Sequence, residues 1–371
     1  PPPPPPGIRL AALASGLLAA IIVSEPVAGR RRGVVLIESL IILIVALVLV
    51  FLAAEVFTNA LEHLGERMGV SEGVTGSIFA AVGTAMPETI VPIVAILAGG
   101  AAEAVNHEVG LGAILGAPFM LATLSIGLMA WFAGRQRGWL TRFTPEPTGL
   151  ERDLRTFLIA FGLVILAGIL PRGWDSARMF IAFSLFLLYF IYLLNTIKAS
   201  KALVEEGHAT EADNDLYVAR LLGDSMPVAV LQLLAGLSLL VIGAKVFVHG
   251  VELASELLGV SALVVSLLIV PVATELPEKV NSILWIRRGR DTLAFGNITG
   301  AMVFQGTIIP AVGMLLMPWH LNDIHAALAV VLALAGSGLL WLLHRSGRLQ
   351  ALFLSLNMLL YVLFIVLIVM L

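Results

Sequence analysis

Apolar positions run along this chain in long, nearly uninterrupted stretches, separated by short clusters of charge, glycine and proline. Such stretches are too long for strands and too uniformly apolar for the one-sided stripe of a soluble helix. Each can cross roughly 30 Å of hydrocarbon as a helix. They predict spans over 33–64, 74–98, 109–132, 156–170 and 177–197, and again over 226–255, 261–286, 292–317, 322–343 and 350–371. The fold class that follows is an all-α integral membrane protein with ten transmembrane helices in two sets of five. Residues 8–24 are apolar too, and the sequence leaves open whether they form an eleventh span, a retained signal-like helix or an interfacial helix.

The two sets are copies of one another. At an offset of 190 residues, 54–88 and 244–278 align without a gap and share 13 of 35 positions. An odd number of spans per copy places the second copy upside down in the membrane, so the repeats are inverted. The resulting plan is an N-terminal segment 1–32, a first five-helix repeat 33–197, a linker 198–225 and a second repeat 226–371. Loop Lys and Arg residues set the orientation: fourteen fall on the linker side, and only Arg172 and Arg178 lie between spans on the other. Cytoplasmic loops retain such charges, which predicts a multi-pass cell-membrane protein with its linker in the cytoplasm. Arg30-Arg31-Arg32 fits that orientation poorly.

Composition narrows the function classes. With 59% hydrophobic and 13% charged residues and a mean hydropathy of +1.00, the chain leaves no room for a sizeable soluble domain. Cysteine is absent, which excludes disulfides, thiolate metal sites and a cysteine nucleophile. The expected partners are the lipid bilayer and inorganic cations. Nothing points to nucleic acid or to an obligate protein partner.

Two copies of one motif interrupt the apolar pattern, Gly83-Thr84-Ala85-Met86-Pro87-Glu88 and Ala273-Thr274-Glu275-Leu276-Pro277-Glu278. A carboxylate costs roughly 2.5–3.5 kcal/mol at the centre of a membrane helix, so its presence there points to function. Pro87 and Pro277 each lack a backbone donor, which frees a carbonyl about four residues upstream. Carbonyl, hydroxyl and carboxylate oxygens are the ligands a hard cation such as Ca²⁺ takes, and two opposed Glu side chains offset one divalent charge. A Pro-Glu pair also marks an ordinary helix end at the interface. Two copies at matched depth in inverted halves make that the weaker reading.

The motifs, the duplication and the glycine-rich helices that follow resemble the α-repeats of the cation/Ca²⁺ antiporter superfamily, nearest to the sodium/calcium exchangers. There each repeat carries a G-T-S-L-P-E-like motif in one helix and a G-N-x-x-G-S-N-I-x-N-like motif in the next. Here the second helix reads Gly112-Ala113-Ile114-Leu115-Gly116-Ala117-Pro118-Phe119-Met120-Leu121 in one half and Gly296-Asn297-Ile298-Thr299-Gly300-Ala301-Met302-Val303-Phe304-Gln305 in the other. The resemblance implies that Thr84, Glu88, Thr274 and Glu278 bind the transported ions, and that no cofactor is needed beyond those ions. It also implies alternating access, with the spans 33–64 and 226–255 moving against the other eight. The departures are as telling. Ala85, Ala117 and Ala301 stand where the family has serine, and Leu121 where it has a polar ligand whose counterpart is Gln305. Glu275 replaces a serine, adding a third carboxylate that either strengthens divalent binding or carries a proton. The candidate ion ligands are therefore Thr84, Glu88, Thr274, Glu275, Glu278 and Gln305.

Other polar residues admit plainer readings. Gly112 and Gly116, like Gly296 and Gly300, have the i, i+4 spacing that lets helices approach closely in lipid. Asn297 suits packing or a supporting hydrogen bond better than direct ligation. Glu55 and Lys245, at equivalent positions of the first helix of each half, either pair during transport or snorkel to an interface. His63, His249, His320 and His325 lack metal-ligand spacing. The function that follows is secondary active antiport of Ca²⁺ or another divalent cation against Na⁺, and not an enzymatic reaction. A cation/H⁺ exchanger on the same fold is the alternative. An intramembrane enzyme, which predicts a nucleophile or paired aspartates at membrane depth although no aspartate lies in either Pro-Glu helix, and a passive cation channel are more distant ones.

Overall fold

The computed structural model of the 371-residue chain describes residues 32–67, 85–98, 103–204, 216–219, 223 and 225–370. Residues 8–24 and most of the 198–225 linker lie outside the described residues. Among the described residues every regular element is helical, as backbone in hydrocarbon requires when no sheet closes on itself. The first half contains α1 (Arg32–Arg67), α2 (Met86–Leu97), α3 (Glu103–Met120), α4 (Ile126–Arg137), α5 (Pro147–Ile169) and α6 (Asp175–Val204). The second contains α7 (Met226–Leu258), α8 (Ala262–Thr274), α9 (Leu276–Arg287), α10 (Asp291–Leu316), α11 (Ile324–Arg345), α12 (Ala351–Ser355) and α13 (Asn357–Met370). Among the described residues seven helical stretches are long and apolar enough to cross a membrane, and Met86–Leu97 and Ala262–Val272 are shorter apolar helices.

Several elements differ from the predicted spans, each for a local reason. The span predicted over 261–286 is two helices, α8 and α9, meeting at Glu275. The span over 109–132 is the middle of a longer rod in which α3 and α4 are joined by a π-helical stretch, Leu121–Ser125. Pro118 lies just ahead of that stretch, and the missing donor of a proline is one route to such a distortion. α5 starts well before its apolar run because the Glu146 carboxylate accepts from the Thr148 and Gly149 amides and caps it. α6 continues to Val204, into the segment expected to be linker.

α1 and α7 are the longest single helices and form the most extensive helix pair. They run antiparallel, and α7 approaches through glycines seven residues apart. A Cβ at Gly236 would stand 2.9 Å from the Phe57 backbone, one at Gly243 2.8 Å from Val50, and one at Gly250 2.9 Å from Leu43. A seven-residue repeat keeps one seam in contact along two gently supercoiling helices. Their core also takes in Val91 and Ala95 of α2, Val109 and Ala113 of α3, and Ala262 and Val265 of α8. A second core gathers α3, α4, α5, α10 and α11.

Arg178, one of the two basic residues on the sparsely charged side, is buried and structural. Its guanidinium donates to the carbonyls of Ala167 (3.2 Å), Leu170 (2.5 Å) and Pro171 (3.1 Å), satisfying the end of α5. Arg178→Met is expected to destabilise the protein by about 3 kcal/mol, since buried acceptors lose charge-assisted partners. Thermal unfolding in detergent measures this, and an unchanged midpoint would show that the carbonyls find other donors.

Candidate ion site

The two motifs produce the same backbone event. Ala85, preceding α2, has φ −83° and ψ 1°, and Glu275, preceding α9, has φ −91° and ψ 2°. Both lie in the bridge region between helix and extended backbone. Pro87 and Pro277 then occupy the second position of the new helix, where a missing amide hydrogen costs nothing. The first-turn bonds match as well: Thr89 N to Ala85 O and Lys279 N to Glu275 O are both 3.1 Å. Glu88 and Glu278 are thus each the third residue of a helix, where the positive end of the helix dipole favours a carboxylate.

The expected ligands distribute around these breaks as follows. Glu88 is buried on the first turn of α2, at 6% exposure. Glu275 is completely buried and its Oε1 accepts a hydrogen bond from Gln305 Nε2 on α10. Thr274 is buried and donates its hydroxyl hydrogen to Val270 O (3.2 Å), which keeps oxygen lone pairs for a cation. Glu278 is placed by its backbone in α9, while its side chain and the whole of Thr84 lie outside the described residues. α2 packs on α3, α7 and α10, and α8 packs on α3 and touches α2, so the same few helices enclose both breaks. Among the described residues no three His, Cys, Asp or Glu side chains converge closely enough to hold a metal. A cation held there would need hydroxyl, amide or carbonyl oxygens beside carboxylates, a mixed set that Ca²⁺ accepts.

Of the apolar positions that depart from the family pattern, two are buried, while Ala85 and Ala301 are only partly so. Leu121 is fully buried in the π stretch and Ala117 nearly so. Gly112 and Gly116 pack α3 directly on α8, since a Cβ there would stand 2.6 Å from Leu263 O and 2.5 Å from Leu267 O. Gly296 and Gly300 differ: Gly296 has no described atom within 4 Å of its Cβ position, and Gly300 has only Tyr192 Oη at 3.9 Å. Asn297 donates to Ser282 Oγ (3.0 Å), a supporting bond between α10 and α9. Glu55 accepts from Tyr217 Oη (3.2 Å), Lys245 is exposed, and no ion pair joins them among the described residues. His249 and His325 lie beside Glu252 and Asp323, and His320 beside Arg178.

Three features went unread in the sequence. Lys279 is buried at 7% exposure, with its Nζ donating to Pro271 O (3.0 Å) and 3.4 Å from Met120 Sδ. It was legible as the residue after Glu278 and the counterpart of Thr89. Thr89, whose Oγ1 donates to Ala85 O (2.7 Å), puts a hydroxyl at the first break beside the expected Thr84. Asn357 donates to Ala122 O (2.8 Å) and Gly336 O (3.0 Å), tying the π stretch to α11 and α13. Only the buried asparagine had no pattern to announce it.

The chain is similar to several known membrane proteins and exchangers. The inner membrane protein YrbG of Escherichia coli is 27% identical over 285 residues, covering 76% of this chain and 80% of that protein. The putative antiporter CaxA of Alkalimonas amylolytica is 25% identical over 305 residues, covering 78% and 86%. The crystal structure of the H⁺/Ca²⁺ exchanger CAX superposes with a TM-score of 0.66 at 18% identity, over 98% of this chain and 87% of that one, a likeness of fold. The sequence model described as sodium/calcium exchanger protein matches residues 38–198 and 228–370, which spans both repeats. The chain belongs to the sodium/calcium exchanger protein family.

Proposed function

We propose that the protein is a secondary active antiporter exchanging Ca²⁺ or another divalent cation for Na⁺ by alternating access, with Glu88 and Glu278 from opposite repeats as its principal ligands. Thr84, Thr274, Glu275 and Gln305 complete the site. The observation that carries this reading is the pair of matching helix starts that follow Ala85 and Glu275, with the buried carboxylates of Glu88 and Glu275 beside them. Ten spans in a 5+5 inverted arrangement, counting α8 and α9 as one broken span, would place both breaks near the midplane. The cytoplasmic side would then carry the linker and most loop arginines. The long antiparallel seam between α1 and α7, closed by Gly236, Gly243 and Gly250, supports their moving as a pair against the other helices.

An H⁺-coupled exchanger on the same fold is the second reading, favoured by the apolar burial of Leu121 and Ala117 where Na⁺ would want oxygen. Ca²⁺ uptake into proteoliposomes driven by a Na⁺ gradient or by a pH gradient separates the two. If Na⁺ is the driver, its Hill coefficient should not exceed about two, because several hard-cation positions lack side-chain oxygens. A coefficient well above two would mean that water or backbone carbonyls replace the missing ligands.

A further inference from the structure

We infer that the Lys279 ammonium is a resident cation of the ion site, a fixed positive charge that takes the place of one monovalent ion and leaves the site able to balance two charges. The inference rests on the antiporter reading above and concerns how many charges that antiporter exchanges.

Lys279 does not reach for an interface. Its side chain is buried, and its Nζ sits on the carbonyl of Pro271 (3.0 Å) in α8 and against Met120 Sδ (3.4 Å) at the end of α3. The same Pro271 carbonyl accepts the Glu275 amide at 3.1 Å, so the ammonium is fastened to the helix break itself. A lysine at membrane depth ordinarily costs a few kcal/mol. Nearby anionic charge is what makes such a placement tolerable. Glu275 is four residues earlier, and the Lys279 amide bonds its carbonyl at 3.1 Å, which sets both residues on one face of the first turn of α9.

The internal repeat supplies the comparison. At an offset of 190 residues, Glu275 and Lys279 correspond to Ala85 and Thr89. The two breaks share their backbone geometry and their first-turn hydrogen bonds. Thr89 turns its hydroxyl onto its own Ala85 carbonyl, whereas Lys279 places an ammonium at the corresponding break. The second break therefore differs by one carboxylate and one ammonium gained together. With Glu88 and Glu278, the site holds three negative charges and one fixed positive charge, a net of two negative. One divalent cation or two monovalent cations neutralise it, so exchange of one for the other moves no net charge. A third monovalent cation is kept out by the resident ammonium.

The test is Ca²⁺ uptake into proteoliposomes driven by the coupling gradient, with the membrane potential clamped by K⁺ and valinomycin. Wild-type uptake should be insensitive to potential. Lys279→Thr should raise apparent Ca²⁺ affinity at least about tenfold, because a like charge in a low-dielectric site is removed, and should make uptake potential-dependent. Glu275→Ala combined with Lys279→Thr, which copies the first-half residues, should return uptake to insensitivity, and Lys279→Arg, which keeps the charge, should leave whatever uptake remains insensitive to potential. Potential-dependent uptake by the wild-type protein overturns the inference even if no variant folds, as do identical affinity and potential response in Lys279→Thr. If wild-type protein shows no coupled Ca²⁺ flux, or if Glu88→Gln leaves flux intact, the antiporter reading or its site fails first. Flux that Glu88→Gln abolishes but that carries charge in the wild type refutes the resident cation alone.

Discussion

Glu88→Gln is expected to reduce divalent uptake in proteoliposomes by at least about a hundredfold, and Glu278→Gln to do the same, while both proteins still insert and purify. Each change keeps the shape of the side chain and removes one charge. In a site of low dielectric, a divalent ion facing one fewer carboxylate is under-neutralised, and the amide oxygen left behind is a weaker ligand. Insertion should be easier, since an amide costs less than a carboxylate at membrane depth. Buried Glu88 lies on the first turn of α2, so its loss cannot be compensated by a flexible loop. Uptake of radioactive Ca²⁺, normalised to monodisperse protein by gel filtration, measures the effect. Wild-type flux in either variant would remove that residue from the ion site.

The membrane class and the Pro-Glu motifs were legible because their causes are local. A run of apolar residues has to span lipid, and a proline one residue before a glutamate has to interrupt the helix that carries it. The π stretch at Leu121–Ser125 was not legible, since it depends on α11 and α13 meeting the Ala122 carbonyl through the close approach of Gly336 and the amide of Asn357. Helix ends were misread for a similar reason. Glu146 extends α5 well ahead of its apolar run through capping bonds that hydropathy does not register. Lys279 was readable one residue after Glu278.

Gly116→Ala should damage both stability and transport, though it touches no charged group. The Cβ it adds would lie 2.5 Å from Leu267 O, 2.9 Å from Pro271 Cγ and 3.0 Å from Leu267 Cα. Two of those atoms are backbone and the third belongs to a proline ring, so no flexible side chain can yield. α3 and α8 must separate instead. Overpacking of this kind costs about 1–3 kcal/mol, and the shift falls on the helix turn whose Pro271 carbonyl holds both the Glu275 amide and the Lys279 ammonium. Thermal unfolding in detergent should drop by several degrees, and Ca²⁺ uptake should fall at least about tenfold with every carboxylate still present. Gly162→Ala on the exposed face of α5, where a Cβ meets nothing within 4 Å, is the matched control. There the gain in helix propensity should leave stability unchanged or raise it by about 0.5–1 kcal/mol. Equal behaviour of the two variants would mean that α3 and α8 have slack between them, and that the glycine contact does not hold the second break in place.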